Sequence, residues 1–328
     1  MSKRIEWVDI GKYICIMFVM LSHLESGTDL LKTFYSPFFL TMFFFLAGYV
    51  YRQPKSFKEH IVKKLKGLFV PWIIFSNVNI LLSAVISLKS DRNPLKEIAW
   101  NFLQIRGLGD GIWFVAALFV TFIPFYFVIK WNKTVNAILL SACLSLISVL
   151  YTKLMKPELL PWGTVALPWH IEYIFQAMLW MVLGYYFKQY AERVFDGLNY
   201  TTNRVTLWTF YLIIAFLPIE GFWISIPLTY FRSVLGICAV TAICKRVKSN
   251  VYVRFVGANT LTYFALHGKL YAVIEAVLGM SSIYERLLEN VFTSSIVAIG
   301  ITTVMSVVLM VPAMIINRWF PWVLGRKR

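Results

Sequence analysis

Residues 4–24 read RIEWVDIGKYICIMFVMLSHL, an apolar segment that carries Asp9, Lys12 and His23. A membrane-spanning helix needs about 20 mostly apolar residues, and this segment is long enough. At about 3.6 residues per turn, the step from Lys12 to His23 makes almost three turns, so both side chains project from one face, roughly 16 Å apart. Ionisable groups inside a bilayer are costly, and their presence indicates a functional site.

The composition is that of a membrane protein. Of 328 residues, 59% are hydrophobic and 15% are charged, whereas soluble domains carry about 25% charged residues; the mean hydropathy is +0.68. We therefore expect an all-α, polytopic membrane bundle that uses residues 1–328 as one domain, without a soluble extracytoplasmic domain. In a soluble protein the net charge of +16 would suggest nucleic acid. Here the cations cluster between apolar segments, so membrane topology explains them and no nucleic acid partner is expected.

Apolar segments of spanning length recur along the chain. A short amphipathic segment, 95–106, precedes the fourth of them and is predicted to lie at the membrane interface. The ten candidate spans are 5–24, 35–51, 68–88, 112–129, 135–152, 170–187, 205–219, 222–244, 257–279 and 291–317.

Lysine and arginine are unevenly distributed between the loops. Counted from the N-terminus, alternate loops carry 22 of them, with Lys12 at the start of the first span included, and the opposite loops carry 8. Arg232 and Lys269 lie deeper inside spans. Because basic loops stay in the cytoplasm, we expect both termini there and an even number of spans near ten. The N-terminus begins like a signal peptide, but its apolar run ends without a small-residue cleavage site, so we interpret it as the first span.

The cysteines do not indicate a redox or metal site. All lie within apolar runs, none forms a CxxC pair, and no Cys/His cluster has the spacing of metal ligands, so we expect no disulfide and no metal. The four are Cys15, Cys143, Cys238 and Cys244. The chain also has no convincing internal repeat, which weakens an inverted-repeat transporter interpretation.

The first span contributes three candidate catalytic residues, His23, Asp9 and Lys12. Near pH 7 a neutral imidazole accepts a proton from a hydroxyl and later returns it. The alternative for His23 is an interfacial histidine that only hydrogen-bonds to a neighbour. For Asp9 and Lys12 the alternative is an ion pair between residues three apart, which would anchor the helix at the cytoplasmic interface.

Two further ionisable residues are predicted to lie deep in the bilayer. Arg232 is about ten residues, or roughly 15 Å, from the outer end of the eighth span. A buried arginine requires an anion or a carbonyl oxygen, which a ligand could supply. His267 lies at a similar depth in the ninth span, and its alternative is a histidine that packs between helices. We place both among the candidate cofactor-binding residues.

Segment 52–67 is the most basic of the chain and leads directly into the third span. Its Lys63 and Lys66 suit a phosphate-rich cytoplasmic ligand, although topology and anionic lipid also explain them, at about 1 kcal/mol per cation. Trp113, Trp169 and His170 lie at predicted outer ends of spans. Tryptophan belts are common there, but aromatic rings beside polar groups also suit a carbohydrate, so these three are candidate substrate-binding residues.

Several of these residues belong to stretches that resemble the acyltransferase-3 family of bacterial integral membrane acyltransferases, most closely its fucose-4-O-acetylase-like branch. The stretches follow the family's order and cover most of the chain. They are Arg4-x-x-x-x-Asp9-Ile-x-Lys12 followed by His23; Phe43-Phe-Phe-Leu-Ala-Gly48-Tyr49; the basic run before Pro71-Trp72; Trp113-Phe114-Val-Ala-Ala-Leu118; and Val256-Gly257-Ala-Asn259-Thr260-Leu-Thr-Tyr263-Phe-Ala-Leu-His267.

The resemblance implies roles for individual residues. The family's essential histidine at the end of the first helix corresponds to His23, and a basic residue eleven positions earlier, often arginine, corresponds to Lys12. The family's Arg-x-x-Arg signature corresponds to Lys63-x-x-Lys66, where two lysines cannot bind phosphate in the bidentate manner of arginine. Some members carry a C-terminal extracytoplasmic hydrolase-like domain, which this chain is expected to lack.

The resemblance also implies a reaction. An acyl group, usually acetyl, would move from cytoplasmic acetyl-CoA (acyl-CoA) to a hydroxyl of a glycan or lipid-linked sugar, as in polysaccharide O-acetylation at the bacterial inner membrane. Our own hypothesis for the mechanism is that His23 acts as the general base and Arg232 stabilises the oxyanion; an acyl-histidine intermediate is a variant.

Other functions fit the same residue types. The main rival is a polysaccharide exporter or a lipid-linked sugar flippase, and a second is a regulatory or scaffolding protein without a ligand. Membrane lipid is an expected partner in each case. The acceptor sugar, the acyl length and the oligomeric state, a homo-oligomer included, are left open by the sequence.

Overall fold

The computed structural model describes residues 4–24, 28–86, 93–109, 111–219, 221–279 and 282–326. Within them the secondary structure is helical and contains no strand, which confirms the all-α prediction. The end of the predicted third span, 87–88, lies outside these residues. So do five of the counted cations, which are Lys3, Lys89, Arg92, Lys327 and Arg328.

The helices of the described residues follow one another with short connections. They are α1 Glu6–Ser22, α2 Asp29–Tyr35, α3 Phe39–Tyr49, α4 Phe57–Lys64, α5 Val70–Ile86, α6 Pro94–Leu103, α7 Trp113–Trp131, α8 Thr134–Leu154, α9 Ile171–Tyr186, α10 Glu192–Leu198, α11 Thr201–Phe216, α12 Phe222–Cys244, α13 Val251–Ala258, α14 Thr260–Leu278, α15 Ser282–Leu288, α16 Val291–Val308 and α17 Met310–Trp319. Two π-helical turns, Leu65–Phe69 and Phe187–Ala191, continue α4 and α9.

Seven helical segments are long and apolar enough to cross a membrane. They are Leu30–Tyr49, Phe57–Ser83, Trp113–Trp131, Thr134–Leu154, Phe222–Cys244, Thr260–Leu278 and Val291–Trp319. The chain is therefore a multi-pass membrane protein. The other three predicted spans correspond to α1, α9 and α11, with 17, 16 and 16 residues. A count of ten spans and the location of both termini stay predictions.

The chain divides into two compact units. The first comprises Met1–Leu46 and Lys188–Met314, and the second comprises Ala47–Phe187 and Ile315–Arg328. In the first, α1 packs against α12, α13, α14 and α16; in the second, α9 packs against α7 and α8. The expectation of a single domain stays a prediction.

Two glycines allow helix backbones to approach each other closely. In the first unit, a Cβ atom at Gly257 of α13 would overlap the carbonyl group of Asp9 in α1. In the second, a Cβ atom at Gly48 would overlap the carbonyl group of Met181 in α9. Small residues at such contacts are characteristic of membrane helix packing. The Gly-Tyr and Gly-Ala-Asn stretches of the sequence thus have a packing role.

Candidate active site

His23 follows the last turn of α1, and its side chain is exposed. Its backbone N–H donates to the carbonyl oxygen of Met20 at 3.3 Å, so the helix closes with a tighter final turn. The imidazole ring centroids of His23 and His267 lie 4.7 Å apart, with the ring planes inclined by 59°. The first unit therefore brings together two histidines from distant parts of the chain.

His267 lies on α14 and is 5% exposed. Its Nδ1 is 2.8 Å from the carbonyl oxygen of Phe264 and 3.2 Å from that of Tyr263, one turn earlier in the same helix. The sequence predicted a mid-membrane position shared with Arg232. That depth stays a prediction, and the structure places the ring of His267 beside that of His23.

Lys12 lies on α1 and is half-buried. The helix continues without a break from Lys12 to Ser22, so Lys12 and His23 are separated by almost three turns. The predicted catalytic role of Lys12 stays a prediction.

Asp9 is buried and forms an ion pair with Arg4, not with Lys12 as the alternative interpretation proposed. The Nη2 atom of Arg4 also donates to the carbonyl oxygen of Arg254 on α13, at 2.6 Å. Together with the close approach at Gly257, these contacts attach the start of α1 to α13. The spacing did not predict this pair, because residues five apart do not share a helix face and Arg4 reaches Asp9 only through the extended backbone at Ile5 before α1.

Arg232 is buried in α12, and its guanidinium group turns toward the end of α11. Its Nε donates to the carbonyl oxygen of Ile214 at 2.8 Å, and its Nη2 donates to that of Leu217. The last carbonyl groups of a helix have no partner within the helix and carry partial negative charge. Arg232 therefore donates hydrogen bonds to the unpaired carbonyl groups at the C-terminus of α11. These bonds stabilise its buried charge without a ligand.

In the second unit, three neighbouring lysines have different environments. Lys63 and Lys66 are exposed, whereas the ammonium group of Lys64 lies 3.2 Å from the ring centroid of Phe122 and 5.7 Å from that of Tyr51. Such cation–π contacts hold an ammonium group without an anion. Lys63 and Lys66 are consequently the members of this run that a phosphate can reach.

The turn that carries Lys66 is supported by the C-terminal segment. A Cβ atom at Gly325 would overlap the carbonyl group of Lys66, and Gly325 has a φ of +66°. Glycine is therefore required there both for its left-handed conformation and for the close contact.

Trp113 and His170 come together in the second unit, with ring centroids 5.4 Å apart. Tyr173 lies on another side of Trp113 at 5.9 Å. The exposed guanidinium group of Arg106 stands 5.0 Å from the centroid of the Trp113 indole ring. The sequence did not predict a role for Arg106 or Tyr173.

Trp169 belongs to a different aromatic cluster. Its ring lies 5.1 Å from Trp72, 6.1 Å from Phe69 and 5.9 Å from Phe102, centroid to centroid. Trp169 and His170 both have left-handed backbone conformations, with φ of 60° and 56°. Trp169 and His170 are adjacent in the sequence but belong to different aromatic clusters. Trp169 therefore does not share a cluster with Trp113.

The cysteines are free, with Cys15 and Cys244 buried, Cys238 half-buried and Cys143 exposed. Within the described residues, no group of three or more His, Cys, Asp or Glu side chains could hold a metal ion. The expectation of a metal-free enzyme stays a prediction.

The sequence matches a known family over most of its length. Residues 5–315 match the acyltransferase-3 family, whose description is "Acyltransferase domain". The chain belongs to the acyltransferase-3 family. Comparisons with curated proteins and with solved structures gave no match.

Membership of the acyltransferase-3 family makes this chain a membrane acyltransferase. The matched region includes every candidate site residue from Asp9 to His267. The fucose-4-O-acetylase-like branch stays a prediction.

Proposed function

We propose that this acyltransferase moves an acetyl group from cytoplasmic acetyl-CoA to a hydroxyl of a cell-surface or exported glycan. The observation that carries the proposal is the exposed imidazole of His23 at the end of α1, beside a second, buried imidazole. The chain has four histidines, and the other three, His60, His170 and His267, are buried. His23 is thus the histidine that an external hydroxyl can reach.

The donor is inferred from charge. Coenzyme A carries several phosphate groups, and Lys63 and Lys66 offer two exposed ammonium groups in the most basic segment of the chain. Lysine contacts phosphate as a point charge without the fixed geometry of arginine. We propose that this pair binds the nucleotide end of acetyl-CoA.

The acceptor is inferred from the aromatic surface of the second unit. The indole ring of Trp113 lies beside the rings of His170 and Tyr173. The guanidinium group of Arg106 adds a cation next to it. Aromatic faces next to hydrogen-bonding groups suit a glycan or a lipid-linked sugar. Because Trp169 is packed against Trp72 and Phe69, and His170 is buried beneath Trp113, we propose that Trp113 makes the direct contact and that His170 supports its ring.

The proposed chemistry is a direct transfer. An unprotonated nitrogen of His23 accepts the proton of the acceptor hydroxyl, and the oxygen attacks the thioester carbonyl carbon. The tetrahedral intermediate then expels the coenzyme A sulfur, which takes the proton from the His23 imidazolium. The products are an acetyl ester and coenzyme A with a free thiol. We propose that this reaction takes place at a bacterial inner membrane, in polysaccharide O-acetylation.

The test is cleavage of acetyl-CoA by the purified, detergent-solubilised protein, followed as release of the free thiol of coenzyme A. Water takes the place of the unidentified acceptor in this assay. His23→Ala should lower the rate by about 10²- to 10⁴-fold, because general acid–base catalysis contributes that much. Acetyl-CoA binding should remain within about twofold of the wild type, because His23 does not bind the nucleotide.

A matched control is His60→Ala, which removes a buried histidine without a chemical role in the proposed mechanism. Because His60 lies on α4 one turn before Lys63, the rates are compared at saturating acetyl-CoA. The rate of His60→Ala per folded protein should equal that of the wild type. A His23→Ala protein that cleaves acetyl-CoA normally would refute the role of His23. A wild-type protein that neither binds nor cleaves acetyl-CoA would favour the exporter or flippase. Rapid quenching with radiolabelled acetyl-CoA separates the two chemical routes, because label on His23 would establish an acyl-histidine.

A further inference from the structure

His267 has its ring orientation fixed by its own helix. A backbone carbonyl oxygen only accepts hydrogen bonds, and Nδ1 of His267 faces two of them, at 2.8 Å and 3.2 Å. Nδ1 must therefore carry the proton and donate. In the neutral imidazole, the other nitrogen, Nε2, is then an unprotonated acceptor.

The Nε2 atom of His267 is buried and has no hydrogen-bond partner within the described residues. It lies on the ring edge opposite the contacts with Tyr263 and Phe264, so it points away from the backbone of α14. The neighbouring polar ring is that of His23, 4.7 Å away between centroids. A buried acceptor without a donor is costly, and an N–H of His23 would supply one.

We infer that His267 is a positioning residue for His23, and this inference rests on the proposed function. In this proposal the ring of His23 turns to donate one N–H to Nε2 of His267, a bond that its neighbouring ring does not make in the present orientation. The other nitrogen of His23 is then unprotonated and fixed in direction. That nitrogen accepts the proton of the acceptor hydroxyl. When His23 becomes an imidazolium, its hydrogen bond to His267 becomes charge-assisted and strengthens.

The tautomer also limits what else His267 can do. With Nδ1–H committed to Phe264, His267 has no N–H left to donate to a phosphate or to an oxyanion. The sequence suggested that His267 binds the cofactor. To donate a hydrogen bond to a cofactor, the ring would first have to break its bond to the backbone of α14. A purely structural histidine, by contrast, would need Nδ1 alone and would leave Nε2 without a function.

Two substitutions separate the two ring nitrogens. His267→Asn keeps an amide N–H near the position of Nδ1, so the bond to the Phe264 carbonyl can persist, but it removes Nε2. His267→Gln places an amide oxygen near the position of Nε2, where it can accept from His23. We expect kcat for acetyl-CoA cleavage to fall on the order of 10- to 100-fold in His267→Asn, as when a partner that orients a reactive group is removed. His267→Gln should recover part of that loss, and KM for acetyl-CoA should not change in either variant.

A second measurement does not depend on activity. Histidine labelled with ¹⁵N gives signals from four residues only, and their chemical shifts report which ring nitrogen is protonated. In the wild type, His267 should be protonated at Nδ1 and His23 should occupy one tautomer. In His267→Asn, His23 should exchange between its two tautomers.

The outcomes are distinguishable. A wild-type spectrum with His267 protonated at Nε2, or a His267→Asn protein with wild-type turnover, would overturn the inference. A wild-type protein that shows the expected tautomers but cleaves no acetyl-CoA would support the histidine pair and refute the proposed function.

Discussion

At the scale of the residue, internal partners determine what each ionisable group of the first unit can still do. Asp9 accepts from Arg4, and Arg232 donates to the end of α11. A buried charge without a partner is strongly destabilising, so these contacts explain why the two charges are tolerated. By contrast, the side chain of His23 is exposed at the end of α1, as the proposed reaction requires.

The contacts of Arg232 predict a stability role. In Arg232→Lys, one ammonium group cannot serve both carbonyl oxygens with the fork geometry of a guanidinium group. The free energy of unfolding should fall by about 1–3 kcal/mol, the cost of an unsatisfied buried polar group. Thermal unfolding in detergent measures the loss, and acetyl-CoA cleavage per folded protein should stay near the wild-type value.

Arg193→Lys is a suitable control, because Arg193 is exposed on α10. Its effect should lie within about 0.5 kcal/mol of zero. If Arg232→Lys instead lost turnover at unchanged stability, Arg232 would be the oxyanion stabiliser that the sequence first suggested.

At the scale of the element, apolar length was enough to predict the helices. Each of the ten predicted spans contains a helix, because a backbone in lipid must satisfy its hydrogen bonds internally. Hydropathy could not predict that Lys64 turns onto Phe122 while its neighbours stay exposed. Nor could it predict that two consecutive left-handed residues send Trp169 and His170 to different clusters. Both features depend on local backbone conformation and packing, which the periodicity of apolar residues does not predict.

The different exposure of the lysines on α4 and its π-helical turn predicts a specific binding effect. Replacing both Lys63 and Lys66 with glutamine should weaken coenzyme A binding about tenfold, or about 1.4 kcal/mol. The reason is the loss of two cations that reach phosphate, and isothermal titration with coenzyme A at low salt measures it. Added salt should reduce the difference between the wild type and the variant.

The control removes the same charge from the same segment. Lys55 and Lys58 are exposed, and replacing both with glutamine should change coenzyme A binding by less than about twofold. Equal losses in the two double variants would show that overall charge, and not the Lys63–Lys66 pair, attracts the nucleotide.

At the scale of the whole molecule, the sequence predicted which residues are polar within the membrane but not which of them meet. The sequence made His23 a candidate because it ends an apolar segment, whereas its neighbour His267 lies on α14, near the other end of the chain. Equally, the contact of Arg106 with Trp113 depends on how the loop before α7 folds. Long-range pairs of this kind follow from helix packing, and a single sequence does not specify them.

The distribution of cations over the whole chain predicts its orientation. With 22 loop cations on one side and 8 on the other, segment 52–67 should face the cytoplasm and the loop between α8 and α9 should face outward. In a background with the four cysteines replaced by alanine, Lys156→Cys should react with a membrane-impermeant maleimide in intact cells. Lys58→Cys should react only after lysis, because both positions are exposed and the cation distribution predicts opposite sides of the membrane for them. Labelling of Lys58→Cys in intact cells would reverse the orientation and place Lys63 and Lys66 out of reach of cytoplasmic acetyl-CoA.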